Sequence, residues 1–126
     1  MVLTVGHVEC ILVSLLSVNG YEVARVQDLL PGLRREGLTD PFAVVAMDIA
    51  QVTAALTKAG YNKGVLNGRF ADYIKGLMEK MVSGELDGLP SLLRENDRAG
   101  CRDLLLKVRG IGEHVASNVW TLCRLL

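Results

Sequence analysis

The stretch Arg109-Gly110-Ile111-Gly112-Glu113-His114 holds the residue types with the widest chemical scope in this chain of 126 residues. Its two glycines permit backbone angles that residues with side chains resist. A helix starting directly after them aims free backbone N–H groups, and the positive end of its dipole, at one point. That arrangement is a site for an anion. Ile111 would tuck between the two flanking helices and set their angle, and Ala116, small and one turn on, would let them approach. Arg109 on one side and His114 on the other would add charge or hydrogen bonds to a phosphate. The same spacing also serves as a plain corner in a helical bundle.

Other chemistries find little support. Cys10, Cys101 and Cys123 are odd in number and far apart in sequence, with no C-x-x-C pair. Zinc, iron–sulfur and disulfide frameworks are therefore not expected, and no metal ligand set is assigned. Free thiols on apolar faces suit a reducing compartment. The amino terminus has no basic leader, and the apolar run 10–16 is too short to span a bilayer. These features predict a cytoplasmic protein with no membrane partner.

Net charge is zero, which argues against nucleic-acid binding through bulk charge. The charge is uneven, however. Residues 1–57 carry three Arg against six acids, and residues 58–126 carry eleven Lys and Arg against eight acids. The half that contains the glycine turn is thus the basic one.

The elements that would position the turn are helical throughout. Half of the residues are hydrophobic but only two are Phe and one is Trp, so the core is aliphatic and suits packed helices. Residues 5–18 are apolar at nearly every turn, as in a helix buried most of the way round. Residues 21–30 continue with Val23, Val26, Leu29 and Leu30 on one face, until Pro31-Gly32 bends or breaks the helix. Asp40 is an N-cap followed by Pro41 at the first helical position. Asp48 caps the next helix, with Ile49, Val52, Ala55, Leu56 and Ala59 as its buried stripe and Gly60 as its end. Phe70, Ile74, Leu77, Met78 and Met81 form one apolar face. Pro90 starts a short helix and Asp97 caps another. The expectation is an all-α, compact bundle of about seven short helices in one domain over residues 1–126.

Read with what precedes it, "KVRGIGEHVASNVW" resembles the helix-hairpin-helix of the DNA glycosylase superfamily that includes endonuclease III. "ILVSLLSVNGYE", the segment "TDPFAVVAMDIAQVTAALTKAGYNKGVLNGRFADYIKGL" and "NDRAGCRDLLLKVRGIG" resemble other stretches of that superfamily in the same order, over about residues 9–123. The resemblance implies the six-helix barrel half of that fold, with the hairpin at about residues 98–125. It implies duplex DNA as the partner, held by its backbone phosphate at Arg109, Gly110, Ile111, Gly112, His114 and Val115. Asn19 matches the position of a residue that wedges into the gap left by a flipped base. A monovalent metal ion at the hairpin often accompanies such a grip, and no iron–sulfur cluster is implied.

The departures bear on catalysis. The lyase members' Schiff-base lysine is His114 here, and an imidazole forms no stable Schiff base. The family's essential Asp falls past residue 126, so the resemblance implies DNA binding with little or no glycosylase activity. The alternatives are an active minimal or split glycosylase/lyase, and an oligomeric scaffold that binds no DNA. The mean hydropathy of +0.30 predicts a homodimer or a partner that covers Leu122, Leu125 and Leu126, or the first helix.

Overall fold

The computed structural model describes residues 1–18 and 21–124. Among these the chain is all-α, with nine α-helices, one 3-10 turn and no strand. The helices are α1 (Val5–Leu16), α2 (Val23–Asp28), α3 (Leu30–Arg35), α4 (Pro41–Val45), α5 (Ile49–Lys58), α6 (Asn67–Ser83), α7 (Leu89–Arg94), α8 (Arg98–Leu105) and α9 (Glu113–Cys123), with the 3-10 turn at Gly64–Leu66.

The number exceeds the expected seven partly because Pro31 does more than break a helix. It stands in the first turn of α3, where the missing N–H has no intrahelical acceptor to lose. Gly32 then lets α3 close onto the end of α5, since a Cβ there would lie 2.7 Å from the Ala59 carbonyl oxygen.

Local capping fixes where the other helices begin. Thr4 and His7 form a reciprocal capping box at α1, and Asp48 and Gln51 form one at α5. The Asp40 carboxylate accepts from the N–H groups of Phe42 and Ala43 at α4, and that of Asp97 accepts from Gly100 at α8.

Packing divides the helices into two groups. The α4 and α5 helices lie against α6, and α9 lies against α1 with α8 and α7 following outward. Contact between α1 and α6 joins the groups. The core runs through both. Ile11, Leu12, Leu15 and Leu16 of α1 are buried with Phe70, Ile74, Leu77, Met78 and Met81 of α6 and with Val119 and Trp120 of α9. In α5 the expected stripe is buried except for Ile49, which is 38% exposed. Ile49 opens the helix and lines a surface cleft with Asp72, Lys75 and Gly76 of α6.

Polar groups tie the two groups together where they meet. The Tyr61 hydroxyl donates to the Leu16 carbonyl at the end of α1, 2.9 Å away. Burial pushes the Tyr61 phenol well above its ordinary pKa, so it stays a donor. The buried Asn67 amide donates to the Tyr61 carbonyl at 2.7 Å and to Thr57 Oγ1 at 3.0 Å. Its oxygen accepts from the Lys63 N–H at 2.8 Å. Lys75 Nζ donates to the carbonyls of Val45, the last residue of α4, and of Met47 just past it, which helps satisfy the end of that helix.

Candidate nucleic-acid interface

The α8–α9 connection places the glycine turn on the surface and its apolar residue in the core. Ile111 is buried, while Arg109, Gly110, Gly112, Glu113 and His114 are exposed. Gly110 has φ +93°, in the left-handed region. It also lies flat against Tyr73 of α6, where a Cβ would meet the ring at 2.6 Å. Glycine is therefore required there twice over, by backbone angle and by space. Gly112 is different. Its backbone is extended, and a Cβ there would meet nothing within 4 Å.

The start of α9 is left open. Gly112 is its N-cap and no side chain caps it, as at α2, α3, α6 and α7 and unlike α1, α4, α5 and α8. The first N–H groups of a helix have no partner inside it. Here they belong to Glu113, His114 and Val115, the first two of which are exposed. Val115 and Ala116 are buried.

The charged residues around the turn are paired. Arg109 Nη1 lies 2.9 Å from Asp72 Oδ2 of α6 and its guanidinium is 5.8 Å from the Tyr73 ring centroid. Arg102 of α8 forms a two-pronged bond with Glu113, with Nε donating to Oε2 at 2.8 Å and Nη2 donating to Oε1. These bonds to Arg102 hold the Glu113 carboxyl below the ordinary carboxylate range. The carboxylate that begins α9 is therefore ionised and turned to a cation on the neighbouring helix. Asp72, Tyr73 and Arg102 were not apparent from sequence. The one available signal was Tyr73, three residues after Phe70 at the edge of the α6 apolar face.

His114 faces elsewhere. It lines a cleft of about 630 Å³ with Asn118 of α9, Ser17 and Val18 at the end of α1, and Tyr21, Glu22 and Val23. The hairpin residues thus divide, Arg109 toward α6 and His114 toward the end of α1. Asn19 lies outside the described residues. A run of aromatic rings connects the two sides: Tyr21 to Tyr61, Tyr61 to Phe70 and Phe70 to Tyr73, with centroids 4.4, 5.6 and 6.0 Å apart.

No protein-family model, curated protein or solved structure significantly matches this chain.

The thiols, far apart in sequence, gather between α1, α8 and α9. The neighbouring Cys123 thiol holds the Cys10 pKa below its ordinary value, and burial raises that of Cys101. All three are free. Among the described residues no group of three or more His, Cys, Asp or Glu is placed to hold a metal ion, and no helix is long and apolar enough to cross a membrane. Leu122 packs half-buried against the core, and Leu125 and Leu126 lie outside the described residues. Among the described residues the exposed large apolar side chains are Met1, Val2, Val5 at the start of α1, Phe42, Ile49, Val65 and Leu66.

Proposed function

We propose that this protein grips the sugar–phosphate backbone of duplex DNA through the α8–α9 hairpin. The observation that carries the reading is the open start of α9, uncapped by any side chain and preceded by a left-handed glycine. Backbone N–H groups at such a terminus, with the helix dipole behind them, donate hydrogen bonds to a phosphate oxygen. The resemblance of residues 9–123 to helix-hairpin-helix glycosylases supports the same partner. Arg109 is exposed, and its surface pair with Asp72 is worth at most about 1 kcal/mol, so a phosphate can displace the carboxylate.

The grip reads no bases, because its donors are main-chain groups and a cation. With Arg102 and Arg109 each neutralised by an acid, affinity rests on a few directed donors. The salt dependence is accordingly shallow. The cleft beside His114 is where a nucleotide leaving the stack would sit, with Tyr21 and Asn118 in its walls. His114 supplies no amine, so a lyase step through a Schiff base is absent. The test is titration of a duplex carrying an abasic-site analogue at two salt concentrations, with borohydride trapping on a true abasic site alongside. Binding that weakens with salt and yields no trapped adduct is expected. No binding at low salt removes the reading, and a trapped adduct removes its non-catalytic part.

Self-association is a second reading with its own observation. Val65 is 97% exposed, next to Leu66, and Phe42 is 58% exposed. Surfaces of this kind join copies of a chain. Sedimentation of a single monomeric species at micromolar concentration would remove it.

A further inference from the structure

The α1 and α9 helices run antiparallel, since the end of α1 meets the start of α9 at the His114 cleft and the start of α1 meets the end of α9 at another. This second cleft has a volume of about 570 Å³, within the range of small-ligand sites. Its lining includes His7 of α1, Pro90, Leu93 and Arg94 of α7, Asn96 between α7 and α8, and Arg124 after α9. No Asp or Glu is among the residues that line it.

The polar groups there are set up as donors. His7 Nδ1 accepts from the Thr4 N–H at 3.1 Å, so the neutral ring carries its proton on Nε2. Burial, and then the charge of Arg94, hold the His7 pKa below its ordinary value. Arg94 Nη2 donates to Ser91 Oγ at 3.1 Å, and the Arg124 guanidinium stacks over Trp120 at 4.8 Å. Neither arginine meets a carboxylate among the described residues, whereas Arg34, Arg102 and Arg109 each do. Asn96 adopts a left-handed φ of +56°, with its N–H donating to the Leu93 carbonyl at 3.2 Å. That turn brings a carboxamide to the same rim. Pro90 and Leu93 form an apolar wall.

We propose that this cleft binds a small organic phosphate, its phosphoryl group among Arg94, Arg124 and the His7 Nε2–H and its apolar body against Pro90 and Leu93. Donors from three separate elements suit a tetrahedral group with three oxygens better than a planar carboxylate with two. The site uses none of the residues placed at the DNA-gripping turn, Arg109 to Val115, so it stands or falls independently of the DNA reading.

The test follows the His7 ring resonances by NMR during titration of the full chain with phenyl phosphate, inorganic phosphate and benzoate. Phenyl phosphate is expected to shift them saturably and to bind tighter than the other two. Arg94→Gln and Arg124→Gln, both at exposed positions, should each weaken it by about tenfold while the thermal melt stays unchanged. Saturating duplex DNA should leave its affinity unchanged. Resonances that do not move, equal binding by the double variant, or benzoate binding as tightly would overturn the proposal. Displacement by duplex DNA would assign the cleft to backbone phosphate and overturn the small-molecule reading.

Discussion

Glu113 stands at the first position of α9, where a carboxylate favours the helix dipole but repels an incoming phosphate. The structure resolves the conflict through Arg102, which holds both oxygens of that carboxylate from α8. Two opposite changes follow at this pair. Glu113→Gln should tighten DNA binding several-fold, and Arg102→Ala should weaken it by releasing an unpaired carboxylate into the turn; filter binding or fluorescence anisotropy reads both. Unchanged affinity in the two variants would place the phosphate away from the start of α9. His7 makes a prediction of a different kind. Its folded pKa lies below the ordinary value of 6.5, so the unfolded chain takes up its proton first as pH falls. The stability associated with the neutral ring is complete above the ordinary value and is lost as pH drops through the lower, folded one. Urea midpoints measured between about pH 7 and 5.5 should therefore decline, and His7→Gln should flatten that decline. An identical slope in the variant would show that the ring titrates alike in both states.

Among the elements, the turn between α8 and α9 depends on α6. Tyr73 fills the space beside Gly110, and the left-handed backbone there excludes a Cβ a second time. Gly110→Ala should cost about 2 kcal/mol or more of stability by chemical denaturation. A loss within a few tenths would mean that Tyr73 swings away freely. The helices themselves were largely legible in the sequence, because their signals are local. Asp40-Pro41, Asp48 and Asp97 begin helices as their side chains dictate, and the spacing of Phe70 to Met81 gives the buried face of α6. What the sequence did not reveal depends on partners distant along the chain. Pro31 reads as a breaker until Gly32 is seen to close onto the end of α5, and Ile49 reads as core until it is found at the open mouth of a cleft on α6. For the candidate site, the left-handed Gly110 and the burial of Ile111 were readable from the turn alone, whereas Gly112 is extended and has room for a side chain. Asp72, Tyr73 and Arg102 were not, because nothing in their local pattern says which loop they will meet.

At the scale of the whole molecule, the antiparallel α1–α9 pair connects two clefts at opposite ends. One takes in His114 and Asn118 at the start of α9, and the other His7 and Arg124 at the α1 start and α9 end. The two ends differ chemically. The hairpin end offers main-chain N–H groups among paired charges, and the other offers arginines with no carboxylate partner among the described residues. The central claim concerns the hairpin, and Gly112 gives clean access to it. A Cβ at Gly112 meets open space and the backbone is extended, so Gly112→Glu adds charge at the grip without straining the fold. The most direct measurement is duplex-DNA affinity of wild type and Gly112→Glu at low salt, with thermal melts confirming equal stability. The account predicts that the variant binds at least about tenfold more weakly, the loss of a charge-assisted contact. Equal affinity in the two proteins would contradict it.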